Sequence, residues 1–440
     1  MGNTVLARAG LFFRTRAGDA SPLARHGAIM FVSMAGVYAA DYLFHVSMSR
    51  LLGPSDYGAL VAFSAILLIL YVPVNTIQTA MARHTAYLDE AGQWTAIGPL
   101  AVRTMRYFFW YGALGCVALA LMSPTLSALL RIDDPLPMIT LSGRVLIATT
   151  LPVVRGAFQG LQMFVPLGVN LVLEHVSKLA MGIVLAWAGW GLTGAVAGMV
   201  LGGAVALAAA LAAFRPLVRA GGETPLSPVV RSAGAIAVAM SLFLVATNVD
   251  VLLVKALFAP AVAGYYAAAG VAAKIILYAT WAIPAVVFPE MVRGHARQGG
   301  GHQFLFKGLA ASALGAGGLL TAYLVAPDLV IRILFGSSFL PAAPLLGILG
   351  FGMTAYQFVF LMMSYEQARG RNRTFPFAML ACIVGFVASL GVLRAASLTQ
   401  VAWLMALWAW IMCGWMAWLV LWPAWTEQAR ARRPRAAGDA

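Results

Sequence analysis

Twelve apolar runs of about 20 residues or more follow one another along the chain, with short polar segments between them. A helix needs roughly 20 apolar residues to cross the hydrocarbon core of a bilayer, so these runs predict membrane-spanning helices. The other structure that spans membranes is a closed barrel, whose strands alternate polar and apolar residues. The runs lack that alternation. The sequence therefore predicts an all-α polytopic membrane protein with about 12 transmembrane helices.

The low content of charged residues supports this class of protein. Charged side chains make up 10% of the 440 residues, whereas soluble domains carry about 25%. The net charge of +14 would fit a nucleic-acid partner, but 20 of the 29 Lys and Arg residues fall on the side of the membrane that holds the N-terminus. Cytoplasmic segments are enriched in Lys and Arg. We expect a multi-pass protein of the cell inner membrane, surrounded by lipids, with both termini cytoplasmic and no nucleic-acid partner.

An internal repeat is visible in the segments SRLLGPSDYGAL (49–60) and LFAPAVAGYYAA (257–268), each of which places a glycine four residues after a proline. Proline and glycine end helices and turn the chain, so each segment predicts a tight turn between two spans. The preceding run of each half contains an aspartate, Asp41 or Asp250. Six spans per repeat is an even number, which predicts two six-helix lobes related by a pseudo-twofold axis along the membrane normal.

The repeat divides the chain into five predicted segments. These are a cytoplasmic N-terminal basic segment (1–27), an N-lobe with spans 1–6 (28–214), a cytoplasmic inter-lobe loop (215–228), a C-lobe with spans 7–12 (229–423) and a cytoplasmic basic tail (424–440). Substrate sites of repeat transporters lie near the bilayer midplane where the repeats meet. We therefore expect a central cavity between the lobes.

Three stretches carry a family resemblance: SRLLGPSDYGALVAFSAILLILYVPVNTIQTAMARHTA (49–86), RGAFQGLQMF (155–164) and NVDVLLVKALFAPAVAGYYAAAGVAAKI (248–275). In them the chain resembles polysaccharide repeat-unit flippases of the Wzx type, within the multidrug/oligosaccharidyl-lipid/polysaccharide exporter superfamily. The resemblance implies two six-helix lobes around a cavity that opens alternately to each side. It also implies transfer of a polyprenyl-pyrophosphate-linked oligosaccharide from the inner to the outer leaflet, for exopolysaccharide or O-antigen export, with other polysaccharide assembly proteins as partners.

Four basic residues lie inside predicted spans: Arg144, Arg155, Lys178 and Lys274. Charge at that depth costs free energy, so such residues normally face a cavity or a partner. One hypothesis is that all four bind the pyrophosphate and acidic sugars of the substrate. The alternative is structural: Lys178 pairs with Glu174 on the same helix face, and Arg155 reaches the cytoplasmic headgroups. Lys274 has no acidic residue within one turn of its own helix, which favours a role in binding.

Asp41 and Asp250 are acidic candidates for gating or ion coupling. Intramembrane carboxylates often bind a coupling cation or proton in transporters. The other interpretation is that they pair with Lys255, Arg50 or Arg144 and hold an outer gate closed. Buried charges are usually paired, which favours the gate pairs. Glu174, on the face it shares with Lys178, belongs to the same group of gate or coupling candidates.

A polar face on the second predicted span is a further candidate. Asn75, Gln78 and Thr79 share one side of a helix by their spacing of three to four residues. Amides and hydroxyls of this kind bind sugars, which makes Asn75 and Gln78 candidate substrate-binding residues. The alternative is hydrogen bonding between helices, which polar residues in spans commonly provide.

The motifs that are missing limit the chemistry. The sequence contains no phosphate-binding loop for ATP hydrolysis, no nucleophile elbow and no metal-ligand pattern. We therefore expect a transporter without cofactor, metal or catalytic residues. Two alternatives are a cation-coupled multidrug exporter of the same superfamily, which would favour an acidic cavity, and a membrane glycan polymerase or ligase, which typically carries a large extracytoplasmic loop.

Overall fold

The structure is a computed structural model that describes residues 22–218, 234–279, 301–368, 375–393 and 397–431. Within these ranges, the description leaves out the side chains of residues 22–24, 71–75, 217–218, 234–237, 301–303, 368 and 421–431. Every regular element in the described ranges is helical. The predicted all-α class is confirmed.

The chain divides into two compact units. The first unit consists of Met1–Ala237 and Lys255–Gly264, and the second of Val238–Val254 and Tyr265–Ala440. The segment Lys255–Gly264 groups with the first unit, although the sequence repeat assigns it to the second half. The lobe boundaries at residues 214 and 229 stay a prediction.

Thirteen α-helices follow one another in the described residues. The first half of the chain contains α1 (Pro22–Glu90), α2 (Trp94–Leu129), α3 (Leu136–Gly160), α4 (Phe164–Leu185), a π-helical turn (Ala186–Trp190) and α5 (Gly191–Val218). The second half contains α6 (Gly234–Ala246), α7 (Val249–Leu257), α8 (Pro260–Ala279), α9 (Gly301–Val325), α10 (Pro327–Phe335), a 3-10 turn (Ser337–Ala342), α11 (Ala343–Ala368), α12 (Phe375–Leu393) and α13 (Leu398–Ala431).

In the described residues, fewer helical stretches can cross a membrane than the twelve predicted spans. Two pairs of predicted spans each count as one continuous stretch, and one predicted span is broken into two short helices. In the described residues, nine stretches are long and apolar enough, or ten when α6 and α7, bent by 42°, count as one broken span. Gly53 interrupts α1 with φ 70° and ψ 178°. Gly189 and Gly191, both with positive φ, separate α4 from α5. If each of these breaks separates two spans, the count reaches twelve, so that number stays a prediction.

The two Pro-x-x-x-Gly segments begin helical stretches. Pro54 follows the break at Gly53, and Pro260 is the first residue of α8. Proline suits the first turn because its missing N–H would have no helical partner there. The two glycines that follow contact each other inside the first unit, where a Cβ on Gly58 would lie 2.9 Å from the Cα of Gly264. The motif therefore supplies both a helix start and a close backbone contact.

The helices of the first unit differ in how much they bury. In its most apolar stretch, α2 has only 17% of its residues buried, and it exposes Trp110, Leu114 and Leu121. Large exposed apolar side chains are expected on a surface that faces lipid. By contrast, α3 packs against α1, α2 and α5, and α4 packs mainly against α5 and α1. The interior helices α3 and α4 carry Arg144, Arg155, Glu174 and Lys178.

Candidate substrate site and buried charge networks

Close packing of α4 against α5 positions the central acidic residue. Glu174 and Lys178 lie one turn apart on α4. A Cβ on Gly202 of α5 would lie 2.6 Å from the backbone N of Lys178 and 2.8 Å from the backbone O of Glu174. Glycine therefore allows the two helix backbones to approach.

Two arginines from α3 converge on Glu174. The Glu174 carboxylate accepts a hydrogen bond from Arg144 and lies 2.6 Å from Nη2 of Arg155. Arg155 is itself held by Asn170, with 2.8 Å from Nε to the side-chain oxygen and 3.3 Å from Nη2 to the backbone oxygen. The amide of Asn170 donates to the backbone O of Ala206 on α5 at 2.7 Å. Hydrogen bonds thus fix a buried carboxylate between two guanidinium groups.

A second ion pair joins α1 to α4. Lys178 forms a salt bridge with Asp41 and lies over the ring of Phe44, with 4.5 Å from Nζ to the ring centroid. Nε2 of His175 lies 3.9 Å from the same carboxylate oxygen, while its Nδ1 donates to the backbone O of Leu171 at 2.9 Å. The Asp41 side chain is 42% exposed, whereas that of Glu174 is 7% exposed. The Asp41 end of this cluster is therefore accessible.

These residues form one cluster, the first-unit network, whose members are Asp41, Arg144, Arg155, Asn170, Glu174 and Lys178. It contains three cationic side chains and two carboxylates, so one positive charge is in excess when histidine is neutral. Nη1 of Arg144 is buried and has no hydrogen-bond partner in the described structure. It lies where a Cβ on Gly203 of α5 would stand, so glycine leaves the space that this guanidinium occupies.

The second unit contains a smaller buried pair, Asp250 on α7 and Lys274 on α8. Nζ of Lys274 donates to the side-chain oxygen of Asn248 at 2.6 Å, and Asp250 acts on it electrostatically without a direct salt bridge in the described structure. Tyr266 donates to Oδ2 of Asp250 at 2.8 Å. Asp250 and Lys274 are 1% and 6% exposed. We call these two residues the second-unit pair.

Several partners predicted for these charges are corrected by the structure. Glu174 and Lys178 do not pair with each other, because Glu174 binds the two arginines and Lys178 binds Asp41. Arg155 does not reach toward headgroups but is 4% exposed and bound to Asn170. The neighbours of a charged residue on its own helix do not show its partner, because a residue of another helix can lie closer to it.

The proposed gate pairs differ as well. Asp41 pairs with Lys178 rather than with Lys255, Arg50 or Arg144. Lys255 is buried, and its Nζ lies 3.5 Å from the backbone O of Ser55, to which it donates. Arg50 is exposed on α1. A role of these residues in gating stays a prediction.

The remaining candidates are separate from the first-unit network. Nε2 of Gln78 donates to the side-chain oxygen of Gln159 at 3.2 Å, which is the interhelical hydrogen bond that was the alternative to sugar binding. The side chain of Asn75 lies outside the described residues. Lys274 belongs to the second unit, so the four predicted cations fall into two clusters. Sugar binding by Asn75 and Gln78 stays a prediction.

Sequence reasoning missed three residues that hold these charges: Asn170, Asn248 and Tyr266. A signal was present for Asn170, which precedes Glu174 by four residues and therefore shares its helix face. Asn248 is two residues before Asp250 in an apolar run. Among the described residues, no group of three His, Cys, Asp or Glu side chains could hold a metal ion.

The fold is that of MOP superfamily transporters. An inward-facing multidrug resistance MATE family transporter of that superfamily matches with a TM-score of 0.75 at 12% identity, over 98% of this chain and 100% of the other. The lipid II flippase MurJ in an inward closed conformation matches with a TM-score of 0.69 at 11% identity, over 90% and 87%. A MOP superfamily transporter from Pyrococcus furiosus matches with a TM-score of 0.59 at 15% identity, over 93% and 96%. These similarities establish the fold, a multi-pass helical architecture shared with those transporters.

The family follows from the sequence. The profile of the family described as "Polysaccharide biosynthesis protein" matches residues 47–344, about two thirds of the chain, and the chain belongs to this family. A comparison with curated protein sequences finds no significant match. The predicted resemblance to polysaccharide flippases of the superfamily is confirmed at the level of family and fold.

Proposed function

We propose that the chain is a flippase that moves a polyprenyl-pyrophosphate-linked oligosaccharide from the inner to the outer leaflet by alternating access. It acts in the cell inner membrane with both termini cytoplasmic. The observation that carries the proposal is the excess positive charge of the buried first-unit network. A pyrophosphate is anionic, and arginine binds phosphate oxygens through two parallel hydrogen bonds. Membership in the polysaccharide biosynthesis family supports a glycan as the remainder of the cargo.

Arg144 and Lys178 are the residues that we expect to contact the diphosphate. Their side chains are 17% and 14% exposed, against 4% for Arg155. Arg144 also retains a donor, Nη1, that has no partner in the described structure. Phosphate oxygens would take the place of the carboxylate oxygens that these two side chains now bind, so charge-assisted hydrogen bonds are exchanged rather than lost. Arg155, held by Asn170, acts as a positioning residue for Glu174.

Two structural relatives support an anionic cargo for a fold of this kind. One relative is a lipid II flippase. For the relative from Pyrococcus furiosus, the reverse polarity of the binding pocket is said to suggest a different function. Pocket polarity therefore varies within the fold, and the sign of the buried charge is informative. An excess of positive charge favours an anionic lipid-linked cargo over the cationic drugs of the alternative exporter.

The first test is mass spectrometry of polyprenyl-linked sugars in cells with and without the gene. We expect one lipid-linked repeat unit to accumulate on the cytoplasmic leaflet when the gene is absent. An unchanged lipid profile together with altered resistance to cationic drugs would contradict the proposal and support the multidrug exporter.

The second test assigns the cargo contacts. We expect Arg144→Gln and Lys178→Gln each to lower the rate of transfer at least tenfold in proteoliposomes, a loss of about 1.4 kcal/mol or more of stabilisation. Lys307→Gln is the matched control, because Lys307 is an exposed lysine on α9 outside both charge clusters. Transfer at the wild-type rate in both variants, with folded protein, would remove the first-unit network from the cargo site.

A further inference from the structure

The span formed by α6 and α7 is broken inside the second unit. Val238–Ala246 and Val249–Leu257 meet at an angle of 42°, and Thr247 and Asn248 lie between them. Discontinuous helices in transporters commonly provide cation sites, because the carbonyl end of the first half-helix carries partial negative charge. The break is therefore a place where a cation is stabilised.

The carbonyl groups at the end of α6 are occupied by side chains. The amide of Asn248 donates to the backbone O of Leu244 at 2.9 Å, and the hydroxyl of Tyr356 donates to that of Ala246 at 2.9 Å. The hydroxyl of Thr247 donates to the backbone O of Phe243 at 3.1 Å. The NH₂ group of Asn248 donates its hydrogen bond to α6, so the side-chain oxygen is the atom that accepts a hydrogen bond from the second-unit pair.

That oxygen binds the ammonium group of Lys274, at 2.6 Å. Asp250 supplies the compensating negative charge from the first turn of α7, and its Oδ1 is buried with no hydrogen-bond partner in the described structure. A carboxylate oxygen and an amide oxygen beside a helix break are hard ligands of the kind that bind Na⁺ in transporters. The ammonium group of Lys274 binds the amide oxygen of this set and acts on the carboxylate only electrostatically, without a salt bridge in the described structure.

We propose that the break between α6 and α7 is a monovalent-cation site whose cation is the ammonium group of Lys274. Lys274 supplies the single positive charge that Asp250 and Asn248 require, and it excludes free Na⁺ from the site. Because the ammonium group is covalently attached to the chain, it cannot dissociate. This part of the second unit is therefore independent of the Na⁺ concentration. Removal of the lysine side chain exposes a Na⁺ site made of Asp250 and Asn248. This inference does not depend on the cargo, because it concerns ion binding alone.

The test measures ²²Na⁺ binding to purified full-length protein in detergent. We expect Lys274→Ala to gain one saturable Na⁺ site per chain that the wild type lacks. We also expect its melting temperature to rise by about 2 °C between 5 and 300 mM NaCl, with choline chloride keeping the ionic strength constant, since a ligand of the folded state stabilises it by mass action. Lys274→Ala/Asp250→Asn removes the carboxylate ligand and is expected to lose both effects.

Three results would overturn the proposal. The first is a folded Lys274→Ala variant with no added Na⁺ binding. The second is Na⁺ binding by the wild type that Asp250→Asn abolishes, because the site would then accept a free ion beside the lysine. The third is that the double variant yields folded protein while Lys274→Ala yields folded protein in neither NaCl nor choline chloride. In that case neutralising Asp250 is required, and Na⁺ does not replace the ammonium group.

Discussion

The two units each bury a lysine near an aspartate, but the surroundings of the two aspartates differ. Asp41 in the first unit is 42% exposed and binds Lys178 directly. Asp250 in the second unit is 1% exposed and is bonded to Tyr266, while Lys274 binds Asn248. The sequence repeat places the two aspartates at equivalent positions. The lysines near them do not occupy equivalent positions, because Lys178 lies on α4 and Lys274 on α8.

This difference supports the division of roles that we propose for the two units. The first-unit network has an excess positive charge and accessible members, so we expect its ion pairs to exchange with an anionic cargo. The second-unit pair is enclosed and balanced, with one cation and one carboxylate, so it suits a fixed structural charge. A repeated sequence position therefore does not fix the same partner, because neighbouring helices decide what each aspartate binds.

The largest expected effect comes from Glu174→Gln, which leaves Arg144 and Arg155 facing a neutral amide. Removing one partner of a buried ion pair costs about 3–5 kcal/mol. We expect a loss of that size in the free energy of unfolding, measured by denaturant unfolding in detergent. Glu90→Gln is the control, since Glu90 is exposed at the end of α1. A loss below about 1 kcal/mol would mean that the arginines find other partners.

A smaller effect is expected from Asn170→Leu, which tests whether Arg155 is held in place. The variant loses the hydrogen bonds to Nε of Arg155 and to the backbone O of Ala206. Unpaired buried polar groups cost about 1–3 kcal/mol. Gln78→Leu is the control, because it removes an amide from an exposed interhelical hydrogen bond. Equal losses in the two variants would contradict the idea that the first-unit network fixes Arg155.

The helical class and the residues that carry charge could be predicted from the sequence. Long apolar runs predict spans regardless of their packing, and charged residues inside them are few enough to be selected by position. The same reasoning selected Arg144, Glu174, Lys178 and Lys274, all of which belong to the two clusters.

The partners could not be predicted, because they come from other helices. Lys178 has Glu174 one turn away but meets Asp41, which precedes it by 137 residues. The approach of α4 to α5 at Gly202 sets which side chains come within reach, and a single sequence gives no distance between helices. Asn170 and Asn248 were overlooked because an uncharged amide in an apolar run has several ordinary roles.

The smallest effect on stability is expected from Asp41→Asn. Its salt bridge to Lys178 is partly exposed, and such pairs contribute at most about 1 kcal/mol. The effect on binding should be larger: freed from Asp41, Lys178 no longer has a carboxylate that competes with phosphate oxygens, so we expect tighter binding of a polyprenyl pyrophosphate, by a few-fold. Asp328→Asn, at an exposed position on α10, is the control. Weaker cargo binding with unchanged stability would instead mean that Asp41 itself contributes to the cargo site, and the accessible end of the first-unit network would need a different role.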